Sequence, residues 1–140
     1  MLTRRDFTGV ASCAICGLTD LIAAGASAQS ASTGATPGVT RKILSQMDGP
    51  VPGYVTIAVE AEVEAGVTVA RHKHPGIESG YVLEGGFDLP IEGHPTLTLK
   101  SGDSYQVPAE IPHSGAKVEK KSRIVLTYVV EKGKPLASPA

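Results

Sequence analysis

The sequence predicts an all-β fold, a small antiparallel jelly-roll β-barrel, and three observations carry that prediction. From Tyr54 onward, short β-rich runs alternate with clusters of turn-forming residues. Several runs repeat with a period of two: Val55, Ile57 and Val59 oppose Thr56, Ala58 and Glu60, and Leu97 and Leu99 oppose Thr96, Thr98 and Lys100. No stretch there holds a 3.6-residue apolar period for three turns. A chain of 140 residues has room for one such domain. Short antiparallel strands in so small a domain close their edges most readily as a barrel or jelly roll, whose interior takes side chains and one small ligand.

The expected strands, in order, are Tyr54 to Val63, Val67 to His72, Gly80 to Leu83, Phe87 to Ile91, Pro95 to Leu99, Ser104 to Val107 and Ser122 to Val130. Turn chemistry separates them at Ala65-Gly66, His74-Pro75-Gly76, Glu84-Gly85-Gly86, Glu92-Gly93-His94, Ser101-Gly102-Asp103 and Ile111-Pro112. Phe87, Leu89, Tyr105, Val107 and Tyr128 are candidates for a pocket wall or for ordinary core. Asp88 is solvated if Phe87 and Leu89 face inward.

Residues 1–28 read differently. Arg4-Arg5 is followed by a weakly apolar run from Val10 to Ala24 and by Ala26-Ser27-Ala28 before Gln29, the order of an export signal. The run is too short and too polar to span a bilayer, so no stable membrane insertion is expected after cleavage. Thr3-Arg4-Arg5-Asp6-Phe7 resembles the twin-arginine export motif, with Thr8-Gly9 departing from it, and this implies a periplasmic protein folded before export. The alternatives are an ordinary secretory signal carrying Arg-Arg and a lipid anchor through Cys13. Cys13 and Cys16, the chain's two cysteines, fall inside this segment, so the mature chain has neither a disulfide nor a thiolate ligand. Residues 29–39, small, polar and rich in Gly and Pro, read as a linker, and the folded domain as 40–140.

Composition excludes several function classes. A formal net charge of -1 provides no basic field for nucleic acid or anionic lipid. There is no Trp, and only two Phe and four Tyr, so a broad stacking surface is absent. A small molecule is the expected partner.

The candidate chemistry lies between Gly66 and Gly86. His72 and His74 stand two apart in an expected strand and share a face. Pro75-Gly76 bends the chain so that Glu78 returns beside them, and His113, after Pro108 and Pro112, enters from another strand. Three imidazoles and a carboxylate suit a borderline divalent metal. A His-x-His pair alone is more often idle than ligating; its combination with Glu78 and a separate His113 is what makes the site. His94 belongs to a hairpin turn and is left out.

Gly-x5-His72-x-His74-x3-Glu78-x6-Gly85 matches the first motif of the cupin superfamily at every fixed position, and Gly102, Pro108 and His113 match the second. The second motif departs at Glu110, where the family has Gly, and at Lys117, where it has Asn; neither is a ligand. The chain thus resembles small single-domain bacterial cupins, of the quercetinase-like type, from about Val39 to Val130. That resemblance implies a jelly-roll barrel holding one divalent transition metal (Fe, Mn, Ni, Cu, Co or Zn) on His72, His74, Glu78 and His113. It also implies Glu78 as a catalytic base, and a homodimer exchanging an N-terminal strand over Arg41 to Met47. Three functions are open: a metal-dependent, dioxygenase-like enzyme acting on a small anionic or enolic molecule, a non-catalytic cupin that binds a small ligand or sequesters a metal, and a structural barrel.

Overall fold

The computed structural model describes residues 36–140, and all the regular secondary structure among them is β. The expected export signal and residues 29–35 of the expected linker lie outside the described residues. The strands are β1 (Val39–Asp48), β2 (Tyr54–Val63), β3 (Val69–Lys73), β4 (Gly76–Glu84), β5 (Gly86–Leu89), β6 (Leu97–Lys100), β7 (Ser104–Val107), β8 (His113–Gly115), β9 (Ser122–Glu131) and β10 (Ser138–Pro139).

Five strands form one antiparallel sheet in the order β1-β2-β9-β4-β7. Opposite it run the short sheets β10-β3-β8 and β5-β6. Backbone bonds from Ala116 to Asp88 (2.9 Å), Ser114 to Pro90 (3.2 Å) and Glu92 to Pro112 (2.9 Å) stitch β8 to the chain leaving β5. The result is the expected antiparallel jelly roll.

The core follows from strand alternation. β2 turns Val55, Ile57, Val59, Ala61 and Val63 inward, and its partner β9 turns Ile124, Leu126, Tyr128 and Val130 inward. Each fully buried Val, Leu or Ile contributes about 1.5–3 kcal/mol of transfer free energy, so these two strands anchor the fold. Phe87 packs at the core's edge, Leu89 is buried and Asp88 is exposed, which fixes the β5 register.

Four differences from the expected strands stand out. β4 begins at Gly76 rather than Gly80, because its first residues alternate in the reverse sense: Ile77 faces solvent and Glu78 faces inward. β3 ends at Lys73, so His74 lies in the connection to β4 rather than in the strand of His72. β1, β8 and β10 were not among the pattern-based strands. Leu97 is exposed while Leu99 is buried, because Leu97 sits opposite Leu89 at the loop end of the β5–β6 hairpin.

Candidate metal centre

Four side chains from three strands and one connection meet at one point. His72 comes from β3, His113 from β8 directly opposite it in register, Glu78 from β4, and His74 from the β3–β4 connection. One ligand atom from each lies within 4.8 Å of all the others. His74, Glu78 and His113 are buried, and His72 is half-buried at the opening. The structure thus brings together all four residues singled out in the sequence and leaves His94 exposed in its turn.

Each imidazole is oriented by the backbone. Nδ1 of His74 is 2.5 Å from the carbonyl of Leu136, Nδ1 of His72 is 2.7 Å from that of Ala70, and Nδ1 of His113 is 3.0 Å from that of Ile111. A carbonyl only accepts, so each Nδ1 carries the proton and each neutral ring presents a lone pair at Nε2. Backbone carbonyls commonly fix the tautomer of ligating histidines in this way.

The connection that carries His74 is itself held: Glu110 N–H donates to the His74 carbonyl (2.9 Å) and Glu131 N–H to the Pro75 carbonyl (3.1 Å). Glu110 adopts φ 62°, the left-handed conformation that Gly takes at little cost and that makes this family position usually Gly. Its carboxylate reaches Lys73 at 2.7 Å.

Glu78 binds on both oxygens. Oε1 accepts a 2.8 Å hydrogen bond from the Tyr105 hydroxyl, and Oε2 lies 2.7 Å from His74 Nε2 and 3.6 Å from His113 Nε2. Despite that proximity, neither Nε2 makes a hydrogen bond of acceptable geometry, and both nitrogens are buried without a partner. Two imidazole lone pairs thus converge on a carboxylate, an acceptor-on-acceptor arrangement that a cation would relieve. Ligands bound at roughly 2.0–2.2 Å stand up to about 4.4 Å apart across an ion, so the 4.8 Å cluster needs only small adjustments to close on one. The donor set fits a divalent transition metal.

Electrostatics follow the same geometry. Burial pushes the Glu78 carboxyl up, but the His113 and His74 rings beside it, which donate to it and add positive charge whenever Nε2 is protonated, outweigh that and hold the group well below the usual carboxylate range. Burial, helped by the neighbouring His113 and His74, takes His72 down to about 4, against the pull of the Ala70 carbonyl. His113 is also pushed down by burial, yet Glu78 leaves it above its ordinary value. Tyr105 and Tyr128 are raised, mainly by burial and then by the Glu78 charge.

Beside the cluster opens a cavity of about 60 Å³, walled by Phe87, Leu89, Tyr105, Leu126 and Tyr128. Tyr105 reaches Glu78 because it lies across Gly80, its cross-strand neighbour; a Cβ at Gly80 would collide with the ring. Sequence reasoning named Tyr105 only as a wall residue and missed its bond to Glu78. It also missed the carbonyl of Leu136 and the place of Arg41 on the cavity wall. The Gly80–Tyr105 pairing is visible only once the register of β4 on β7 is known.

Comparison with known proteins agrees with this fold. Among solved structures, the DMSP lyase DddQ from Ruegeria pomeroyi DSS-3 superposes with a TM-score of 0.62 at 21% identity, over 73% of this chain and 51% of its own. An RmlC-like cupin from Shewanella frigidimarina NCIMB 400 gives 0.57 at 23% identity, over 69% and 79%. A salicylate 1,2-dioxygenase from Pseudaminobacter salicylatoxidans gives 0.54 at 21%, over 66% and 26%. The chain therefore spans about half of the lyase and about a quarter of the dioxygenase, and at these identities the likeness is one of fold. No curated protein sequence matches the chain. The cupin domain model matches residues 59–130, just over half of the 140 and inclusive of all four clustered side chains. On that match, the chain belongs to the cupin family.

Proposed function

We propose that this protein is a metal-dependent cupin enzyme, dioxygenase-like, that acts on a small anionic or enolic organic molecule. One observation carries the reading: three imidazole nitrogens and one Glu78 oxygen converge in a buried site that opens onto a cavity. His72, His74, Glu78 and His113 would hold the metal, which when bound would act as a Lewis acid that polarises an anionic or enolic substrate. With three neutral imidazoles and one carboxylate, a divalent ion leaves the site net positive, which favours an anion.

Glu78 is the proposed base. Its carboxylate is ionised, it faces the cavity, and Tyr105 keeps Oε1 in place while Oε2 lies among the imidazoles. Taking a substrate proton requires one of those contacts to loosen. The lyase and dioxygenase among the fold neighbours show that the barrel carries both chemistries, so fold alone does not choose between them. Dioxygen consumption by the metal-loaded protein over a panel of small enolic and hydroxy acids tests the reading. Uptake abolished by a chelator supports it, and no uptake with any panel member by fully loaded protein counts against it.

The Tyr105 bond that holds Glu78 Oε1 favours a second reading, a non-catalytic cupin that binds a small ligand or sequesters a metal. Saturable binding of a panel acid without turnover would identify it, and turnover would dismiss it.

Export to the periplasm is proposed on Arg4-Arg5, the apolar run and Ala26-Ser27-Ala28. The amino terminus of protein recovered from cells tests it: cleavage after Ala28 is expected, and an intact leader contradicts it. A homodimer is proposed because β1 is, among the described residues, an edge of the large sheet and exposes Ile43, Leu44 and Met47. A monomer by sedimentation equilibrium would remove that part.

A further inference from the structure

β1 begins by turning alternate residues inward. Val39 packs against the core, and Arg41 takes the next inward position, half-buried on the cavity wall with the metal cluster. A guanidinium there is costly unless a negative charge faces it. Glu78 is the one carboxylate among the residues lining that cavity, and its oxygens face the Tyr105 hydroxyl and the His74 and His113 rings. A second cavity meets the first at Arg41, Val69, His72 and Tyr128, and no acidic residue lines it. Arg71, Lys73, Lys121, Arg123, Lys132 and Lys134 all pair with carboxylates. Among the described residues, the lysines without such a pair, Lys42, Lys100, Lys117 and Lys120, are exposed. Among the described residues, Arg41 is therefore the half-buried cation with no acid opposite it, next to a site that becomes more positive when a divalent ion is held.

We propose that Arg41 anchors the substrate's carboxylate, and that the ligand is a small organic acid whose apolar body lies along Phe87, Leu89 and Leu126 with its reactive end at the His72–His74–Glu78–His113 cluster. The planar guanidinium fork matches a carboxylate bidentately, and Phe87, Leu89 and Leu126 give the same cavity an apolar wall. The inference rests on, and deepens, the reading of this cavity as a substrate site. Arg41 is a specificity-determining residue that leaves the metal ligands untouched.

The test compares benzoate with benzamide, its uncharged isostere, by calorimetric titration of the metal-loaded full chain. Wild type and the variants Arg41→Met, Arg41→Lys and Lys42→Met are titrated, with melting temperature and metal content measured for each. Wild type is expected to favour benzoate by about tenfold or more, the scale of a charge-assisted hydrogen-bonded pair. Arg41→Met is expected to remove the preference, Arg41→Lys to keep part of it and Lys42→Met all of it. A preference that survives in Arg41→Met would place the carboxylate elsewhere and overturn the proposal. So would a wild type that binds neither probe or both alike. The two readings fail separately: an Arg41-dependent preference in protein that takes up no metal keeps the anchor and ends the metal-enzyme reading. Stoichiometric metal with Arg41-independent binding does the reverse.

Discussion

The Tyr105 hydroxyl donates a 2.8 Å hydrogen bond to Glu78 Oε1, joining β7 to β4 beneath the ligand cluster. Hydrogen bonds to a buried charged acceptor contribute about 1.5–3 kcal/mol. Tyr105→Phe keeps the ring that packs edge-on to Phe87 and removes only the donor. Urea unfolding is expected to show a stability loss in that range, and an unchanged midpoint would show that the bond contributes nothing.

Gly80 is the reason Tyr105 can make that bond. Gly80→Ala forces a Cβ into the Tyr105 ring, and overpacking of this kind costs about 1–3 kcal/mol. The cost is expected to shrink when Tyr105 is also changed to Ala, because the clash is then gone. Strictly additive losses in this double-mutant cycle would mean that the two residues do not press on one another.

Acid should weaken the metal-free protein from about pH 6.5 downward. His72 has its folded pKa lowered from 6.5 to about 4, so between these values the unfolded chain binds more protons and stability falls as pH falls. Glu78, also depressed, contributes stability above its ordinary 4.5 that is lost on further acidification. His113, raised, works the other way: its contribution is full below 6.5 and is lost as pH rises through its folded value. Urea midpoints in chelator should therefore decline from pH 6.5 to 4, and a rise over that interval would contradict the burial of a neutral His72.

Metal removal should destabilise the loaded protein. A ligand at a hundred times its dissociation constant stabilises by about 2.7 kcal/mol, on the order of 10 °C in melting temperature for a domain of this size. Calorimetric scans with and without chelator measure the shift. Coincident scans of protein shown to carry metal would mean that the ion sits somewhere other than this buried cluster.

The parts of the fold legible in the sequence are those where burial and alternation coincide. β2 and β9 alternate without interruption over ten residues each, and their inward faces make the core. The start of β4 was illegible because Glu78, a ligand candidate, occupies an inward position that a pattern reader reserves for an apolar residue, with Gly76 and Gly80 on the same face. β8 and β10, at three and two residues, are too short for any period to show. β1 puts Arg41 inward and Ile43, Leu44 and Met47 outward, so its pattern argues against itself.

The four-residue cluster was legible because its motif fixes residue types and spacings together. Its supports were not, since the carbonyl of Leu136 lies 62 positions from His74 and the Gly80–Tyr105 contact depends on a register no local pattern encodes. Glu110 marks the converse case. The departure from Gly was visible in the sequence, and the structure shows its consequence as a left-handed residue whose N–H still holds the His74 carbonyl.

Metal content bears most directly on the central claim. Mass spectrometry of untagged wild type, His72→Ala and His113→Ala, each purified without added metal, would give the metal-to-protein ratio. Near one transition-metal ion per wild-type chain, with a clear loss in both variants, is the expected result. Folded wild-type protein without metal, or variants that keep the wild-type ratio, would contradict the assignment of His72, His74, Glu78 and His113 as its ligands.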